Sequence, residues 1–309
     1  MINVTITRLI LWIVVALWVV LASFTVAEAK QVSSVVQHLN ILASKEFAGR
    51  KADSDGYRKA QQYIFAALEN DLPTFNHHFS FDYGFSEHVG QNIYAVKKGN
   101  VFADKFIVIT AHYDHLGTKG GKVYYGADDN ASGVSVLLEL AHYFAHQYTR
   151  YSMVFLATDA EEKGMHGAKA FLNDAVIDPN QIVLNVNLDM LGYGKKQREL
   201  IIAGTKPFPF LKPIVNSANK SVPVPFRFQE TVQSNVVSTK KQRIQLLRSS
   251  DHYPFYLQDI PFLMVTGENH HRYHTDKDKA DKIDPMFFEK ANNSVNRLVV
   301  ALDQFLITI

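Results

Sequence analysis

The sequence contains no cysteine among its 309 residues. Disulfide bonds, thiolate metal ligands and lipid attachment to a cysteine are therefore excluded. After Lys30 there is also no internal repeat, low-complexity segment or proline-rich linker. We therefore expect residues 30–309 to form one domain whose stability comes from its hydrophobic core.

A large excess of charge of either sign is also missing. The chain carries 32 basic and 30 acidic residues, which gives a formal net charge of +2. No long basic run occurs, so we expect no nucleic-acid partner. Hydrophobic residues make up 47% of the chain, which is enough to bury a core.

The N-terminal segment differs in composition from the rest of the chain. Arg8 is followed by an unbroken apolar run, residues 9–22, and then by the small residues Ala27 and Ala29. A positive start, an apolar stretch and an A-x-A-like site are typical of a signal peptide. We interpret residues 1–29 in this way, which predicts an exported protein, periplasmic or secreted, without stable membrane contact after cleavage. Because the run is nearly long enough to span a bilayer, an uncleaved segment that tethers the protein to a membrane is the alternative.

From residue 105 onward, apolar segments typical of strands alternate with segments of helical spacing. The predicted strands cover residues 106–111, 152–158, 182–188, 200–203 and 261–265, and the predicted helices cover 132–146, 167–173, 208–218 and 285–305. Before them we predict helices over 35–43 and 57–68, and strands over 77–81 and 92–96. Apolar strands between helices predict an α/β domain of three layers, with a mixed, largely parallel sheet covered by helices on both faces.

Ligands of such sheets bind at the carboxyl ends of the strands. Histidine and carboxylate side chains stand at these predicted ends and at the start of the helix at 132. They are His112, Asp128, Glu162, Asp189 and His274. Two histidines and three carboxylates are too many ligands for one open zinc site, and they fit two metal ions that share a carboxylate. We therefore predict two Zn²⁺ ions per chain.

Two further carboxylates stand beside these predicted ligands. Glu161 precedes Glu162, so one of the pair can contact metal while the other contacts substrate. Asp114 follows His112 by two residues and can bond the ring nitrogen that does not bind metal. Each feature alone has a structural explanation, such as a helix cap at residues 128–130. Their joint position at strand ends favours a catalytic site.

Six motifs in this order resemble the metallopeptidases with co-catalytic zinc ions. They are HYDHLG (112–117), GADDNASG (126–133), AEEKGMHGA (160–168), LDMLGY (188–193), SDHYPF (250–255) and YHTDKD (273–278). That family includes secreted bacterial aminopeptidases, glutamate carboxypeptidase, the glutaminyl cyclases and the transferrin receptor ectodomain. FAGR (47–50) and QNIYAV (91–96) are also similar, so the resemblance covers roughly residues 40 to 300 and implies the zinc aminopeptidase fold.

The resemblance implies a position for each metal ligand. Asp128 would be the carboxylate that bridges the two ions. His112 and Asp189 would complete the ligands of one zinc ion. Glu162 and His274 would complete those of the second.

The resemblance also implies roles for residues that do not bind metal. Glu161 would be the general base, and Asp114 would orient a ligand histidine. His270 and His271 do not fit the ligand motif. Leu247 stands where some relatives use a tyrosine on the oxyanion, so the candidates for that role are Arg248, His252 and Tyr253.

The function expected from these residues is that of an aminopeptidase acting on peptides. A carboxypeptidase or dipeptidase on the same fold is one alternative. A glutaminyl cyclase, which is an acyltransferase on one zinc ion, is another. A binding domain without activity is the least favoured, because no predicted ligand is missing. The sequence does not predict the oligomeric state.

Overall fold

The computed structural model describes residues 32–52, 54–194, 198–233 and 243–306. Ser34–Ile309 forms one compact unit. The predicted signal peptide at 1–29 and the predicted domain start at residue 30 lie outside the described residues. Within the described ranges, no helix has both the length and the apolar character needed to cross a membrane.

Eight strands form a central sheet, and two hairpins of three-residue strands lie outside it. The strands are β1 (Thr74–Tyr83), β2 (Ser86–Lys97), β3 (Phe102–His112), β4 (Gly117–Lys119), β5 (Lys122–Tyr124), β6 (Tyr151–Thr158), β7 (Ile182–Asp189), β8 (Leu200–Ala203), β9 (Phe226–Phe228), β10 (Thr231–Gln233), β11 (Arg243–Gln245) and β12 (Phe262–Thr266). The helices are α1 (Ser34–Leu42), α2 (Asp55–Glu69), α3 (Gly133–Ala145), α4 (His166–Asn173), α5 (Lys212–Ala218), α6 (His252–Leu257) and α7 (Pro285–Phe305).

The order of strands in the central sheet is β1-β2-β6-β3-β7-β12-β8-β9. The four central strands β6, β3, β7 and β12 pair in parallel. On the two flanks, β2 is antiparallel to β6 and β8 is antiparallel to β12. The sheet is therefore mixed with a parallel centre, and the predicted fold class is confirmed.

Side chains of alternate residues along the central strands pack on opposite faces of the sheet. Ile107 and Ile109 belong to a cluster with residues of α1, α2, α3 and α7. Val108 and Val154 pack on the other face with residues of α4 and α6. Because strand side chains alternate with period two, an unbroken apolar run fills both layers.

Several elements differ from the sequence prediction. β1 and β2 extend well beyond the predicted strands at 77–81 and 92–96, and β9 was not predicted. The predicted helix at 208–218 is divided into the 3₁₀ turn Pro209–Leu211 and helix α5. The two hairpins and α6 were not predicted, because strands of three residues and a helix of six are too short to show a period. α6 follows Asp251, but the Asp251 side chain accepts a hydrogen bond from Thr158 and does not cap the helix.

Candidate metal centre

The four parallel strands bring their carboxyl ends to one edge of the sheet. His112 and Asp189 are the last residues of β3 and β7. Glu161 and Glu162 follow β6, and His274 lies in the segment after β12. Because these strands are neighbours, residues far apart in sequence meet at a single place.

Asp129 lies at the centre of this group. Its Oδ1 is 3.3 Å from Nε2 of His112, and its Oδ2 is 3.0 Å from Nε2 of His274. Oδ1 of Asp189 is 3.5 Å from Nε2 of His112, and Oε2 of Glu162 is 3.1 Å from Nε2 of His274. Each oxygen of Asp129 thus faces one histidine–carboxylate pair.

The structure does not bring the Asp128 carboxylate into this group, so the predicted bridging position is wrong by one residue. Oδ2 of Asp128 is 2.8 Å from Nε2 of His270, and Oδ1 accepts the backbone N–H of Gly192 at 2.7 Å. The backbone of the 127–132 segment is irregular, with φ −108° and ψ 90° at Asp129. The carboxylates of Asp128 and Asp129 contact different partners.

Hydrogen bonds fix the loop that carries Asp129. Both oxygens of Asp278 accept the N–H of Asp128, and Oδ2 also accepts that of Asp129, at 3.0–3.1 Å. Asn130 donates to the carbonyl of Leu188 at 2.9 Å and accepts the N–H of Met190 at 3.1 Å. The loop is thereby joined both to the end of β7 and to the segment that carries His274.

Asp114 supports the site from the opposite side. Nδ1 of His112 is 3.2 Å from the Asp114 carbonyl and 3.7 Å from its carboxylate. The carboxylate accepts the backbone N–H groups of Glu161 at 3.0 Å and of Glu162 at 3.3 Å. Asp114 thus contacts the His112 ring through its carbonyl, whereas its carboxylate, which was predicted to bond that ring, mainly holds the Glu161–Glu162 turn.

His115 is a residue that the sequence analysis missed, although it lies in the HYDHLG motif. Its Nδ1 is 2.9 Å from Oε1 of Glu162 and 3.8 Å from Oδ2 of Asp129. The His115 ring is fully buried. It therefore orients Glu162, and the signal that could have found it is its spacing of three residues from His112.

The electrostatics of the cluster favour positive charge at its centre. Burial opposes a charge on His112, but the carboxylate of Glu161 and hydrogen bonds to other acids raise the His112 pKa well above its usual value. Burial also opposes a charge on Asp129, but the imidazoles of His112 and His274, 3.3 and 3.0 Å away, hold the Asp129 pKa well below its usual value. Ionised carboxylates thus face cationic partners.

Divalent metal ions fit this donor set. Among the described residues, Oδ2 of Asp129, Oδ1 of Asp189 and Nε2 of His274 are buried and make no contact with hydrogen-bond geometry, although Oδ2 of Asp129 lies 3.0 Å from Nε2 of His274. Buried polar atoms are costly unless they are paired. Two sets of ligand atoms lie within 4.8 Å of one another: His112 with Asp129 and Asp189, and His115 with Asp129 and Glu162. Imidazole nitrogen with carboxylate oxygen is typical of catalytic zinc sites.

A cavity opens at the cluster. One wall is polar and contains His112, Asp129, Glu161 and Asp189. The other wall contains apolar side chains from the β10–β11 hairpin, the following turn and β12. They are Val232, Ile244, Leu246 and Met264. Among the described residues that line the cavity, none is a lysine or an arginine.

Glu161 lines this cavity and has the altered pKa expected of a proton acceptor. Burial raises its pKa well above the usual value, and the carboxylates of Asp251 and Asp189 add to this effect, while His112 opposes it. Asp251 itself is fully buried, and burial raises its pKa to about 7. A carboxylate with raised pKa holds a proton more readily than an ordinary glutamate does.

The candidates for an oxyanion donor in the segment 247–253 do not line the cavity. His252 is fully buried, with Nε2 2.7 Å from the carbonyl of Leu246, and Arg248 lies over the ring of Tyr253. Tyr273 does line the cavity, and its ring stacks on His274 with centroids 3.9 Å apart. Burial and nearby carboxylates raise the pKa of Tyr273 well above its usual value, so its hydroxyl remains a donor.

The buried guanidinium of Arg50 holds the loops behind the metal ligands. It donates hydrogen bonds of 2.7–2.9 Å to the carbonyls of Leu42, Tyr113, Tyr125 and Gly126. Burial lowers the pKa of Arg50 to about 10, which leaves it charged at neutral pH. Arg50 is the last residue of the FAGR motif, and it connects the segment after His112 with the segment before Asp129.

The sequence is similar to a known protein family and to several proteins within it. The model of Peptidase family M28 matches residues 92–299, which is 208 of the 309 residues. The alkaline phosphatase isozyme conversion protein of Escherichia coli is 32% identical over 151 residues, which cover 44% of this chain and 43% of that protein. The chain thus spans less than half the length of the curated relatives it matches.

Solved structures show the same fold. A zinc aminopeptidase from Bacillus subtilis superposes with a TM-score of 0.70 at 16% identity, covering 87% of this chain and 95% of that one. Glutaminyl cyclase from Porphyromonas gingivalis superposes with a TM-score of 0.68 at 17% identity, covering 86% and 96%.

Proposed function

The chain belongs to peptidase family M28, and on that premise we propose that it is a two-zinc aminopeptidase. It would remove N-terminal residues from peptides. Two zinc ions would be held on either side of Asp129, one with His112 and Asp189, the other with Glu162 and His274. The support for two ions is that each oxygen of Asp129 faces a different histidine.

Divalent ions bound there would polarise the scissile carbonyl and acidify an attacking water. Glu161 would accept a proton from the water and return it to the leaving amine. The Asp114 carboxylate would keep Glu161 in position through its backbone N–H. Tyr273 would donate its hydroxyl proton as a hydrogen bond to the negative charge that develops on the carbonyl oxygen.

The single observation that supports an aminopeptidase is the sign of charge in the cavity. The carboxylates of Glu161, Asp189 and Asp129 line it, and no described lining residue is a lysine or an arginine. A free α-amino group, which is positive, is favoured next to carboxylates. The C-terminal carboxylate of a carboxypeptidase substrate would need a cationic partner on the protein instead.

The apolar wall of the cavity indicates the first residue of the substrate. Val232, Ile244 and Leu246 face the metal cluster together with Met264. Burying an aliphatic side chain there contributes about 1.5–3 kcal/mol of binding free energy. We therefore propose that peptides beginning with leucine or methionine are better substrates than peptides beginning with lysine or glutamate.

The test is release of the first residue from peptides that differ only at their N-termini. We expect rapid hydrolysis of a free Leu-peptide, slower hydrolysis of the Lys- and Glu-peptides, and none of the N-acetylated Leu-peptide. A chelator should abolish the activity and zinc should restore it. Hydrolysis from the C-terminus, or ammonia release from N-terminal glutamine without shortening of the peptide, would contradict the proposal.

We further propose that the protein acts outside the cytoplasm, after removal of residues 1–29. The support is the sequence of that segment. The absence of cysteine makes the chain independent of the redox state of its compartment.

A further inference from the structure

A second group of metal-binding side chains lies at the end of α3 remote from the cavity. His142 is in the last turn of α3 and His146 is at its C-cap, so the two rings lie one turn apart on one face. Asp71, from the turn between α2 and β1, places its carboxylate between them. Its Oδ2 is 2.9 Å from Nδ1 of His142, and its Oδ1 is 3.6 Å from Nε2 of His146.

We propose that Asp71, His142 and His146 form a further binding site for a divalent transition metal such as Zn²⁺. Their three ligand atoms lie within 4.8 Å of one another. Ligands at about 2.1 Å from a tetrahedral zinc ion are separated by about 3.4 Å from one another. Nδ1 of His142 is 2.9 Å from one oxygen of Asp71 and Nε2 of His146 is 3.6 Å from the other, which places the two distances on either side of that value. Small rotations of the side chains are enough to complete the site.

The accessibility of the three side chains suits a site that is open to solvent. The Asp71 side chain is 10% exposed, whereas those of His142 and His146 are 64% and 67% exposed. The Asp71 carboxylate is held in place by its contact with Nδ1 of His142 at 2.9 Å. The imidazoles are reachable, and water can fill the remaining coordination positions.

The site is separate from the metal centre at the strand ends. α3 begins at Gly133, immediately after the loop that carries Asp129. At 1.5 Å per residue, His146 lies about 20 Å along the axis from that end of the helix. A metal ion bound here cannot contact substrate. It would instead connect α3 to the α2–β1 turn, 71 residues away in sequence, and stabilise the folded state by mass action.

The experiment compares zinc binding by the wild-type holoenzyme with that of the double variant His142→Gln/His146→Gln. Both are dialysed against increasing concentrations of Zn²⁺, and zinc per chain is counted by mass spectrometry. We expect the wild type to bind one more equivalent than the variant. Its thermal midpoint should rise with added zinc above the level at which the catalytic centre is filled, whereas that of the variant should not. Peptidase activity should be the same in both proteins.

Two single variants complete the design. Asp71→Asn keeps a hydrogen-bond acceptor but removes the charged ligand, and it should lose the same equivalent of zinc. His78→Gln, which changes an exposed histidine on β1, is the control and should retain the additional equivalent of zinc. Equal zinc content and equal thermal response in the wild type and the double variant would overturn the proposal. Because the readout is a difference between two proteins, it does not depend on how many ions the catalytic centre holds.

Discussion

At the scale of single residues, the structure separates two neighbouring aspartates that have the same chemistry. Asp129 faces both His112 and His274, whereas Asp128 is bonded to His270 and to the backbone of Gly192. The sequence could not decide between them, because the 126–133 loop has no period that fixes side-chain direction. Contacts made by residues 64 and 142 positions away decide it.

Asparagine substitution of each aspartate should distinguish their roles. Asp128→Asn weakens a contact that positions the ligand loop, so we expect zinc affinity or activity to fall about 10- to 100-fold. Asp129→Asn removes an ionised oxygen from the metal centre and should abolish activity and reduce the zinc content. The two variants are compared by zinc analysis and by kcat/KM. A larger loss of zinc and of kcat/KM in Asp128→Asn than in Asp129→Asn would show that Asp128 is the bridging residue.

Glu161 should be needed for the chemical step but not for metal binding. Glu161→Gln keeps the size of the side chain and removes the proton acceptor, so kcat should fall about 10²- to 10⁴-fold at unchanged zinc content. Glu162→Gln is the matched control, because it should lose zinc as well as activity. If Glu161→Gln retained most of its kcat, another group would have to be the base.

At the scale of secondary-structure elements, the site depends on loops that are joined to one another behind the ligands. The long helix α7 was predicted with its observed bounds, because apolar periodicity defines it. The three-residue strands of the β10–β11 hairpin were not predicted, although Val232 and Ile244 line the cavity. Their position depends on tertiary packing that no local pattern encodes.

Arg50 is expected to hold two of these loops together. Arg50→Met leaves four backbone carbonyls without their donor, and the free energy of unfolding should fall by about 3 kcal/mol or more. Arg50→Lys keeps the charge but cannot reach all four carbonyls. Its free energy of unfolding should therefore lie between those of the wild type and Arg50→Met. Denaturant unfolding measures both. A loss below about 1 kcal/mol in Arg50→Met would show that the loops do not depend on this residue.

His252, the first residue of α6, should make the free energy of unfolding fall at acidic pH. Burial lowers its pKa to about 4 in the folded protein, whereas its usual value is 6.5. The folded state therefore keeps the ring neutral where the unfolded chain protonates it. The neutral His252 ring therefore contributes about 3 kcal/mol at most to the free energy of unfolding. The contribution is complete above pH 6.5 and is lost as the pH falls towards 4.

The comparison of wild type with His252→Gln isolates this effect. Buried acids with raised pKa, such as Asp159 and Asp251, shift stability in the opposite direction in both proteins and cancel in the difference. The difference in unfolding free energy should be constant above pH 6.5 and should change between pH 6.5 and 4. A difference independent of pH would contradict the assignment of a neutral, buried His252.

At the scale of the whole molecule, the parallel centre of the sheet is what brings distant residues together. Four neighbouring strands deliver His112, Glu162, Asp189 and His274 to one edge, as the alternation of strands and helices predicted. The rule about strand ends needs only the order of elements, so the sequence was sufficient for these residues. It was not sufficient for the substrate-facing wall, which is built from the short hairpin and from Tyr273.

The N-terminal segment gives a prediction for the mature protein. Expression of the full chain in a bacterium should yield a product that starts at Lys30, because the small residues Ala27 and Ala29 mark the cleavage site. The intact mass and the N-terminal sequence of the exported fraction measure this. Recovery of the full-length chain in the membrane fraction would support the uncleaved tether instead.

The most direct measurement is anomalous diffraction at the zinc edge from crystals of the zinc-loaded protein. Two peaks about 3.5–4 Å apart are expected at the ends of the parallel strands, one beside each carboxylate oxygen of Asp129. His112 and Asp189 should bind one of these ions, and Glu162 and His274 the other. A single peak at this edge, or a pair of ions held by Asp128, would contradict the account.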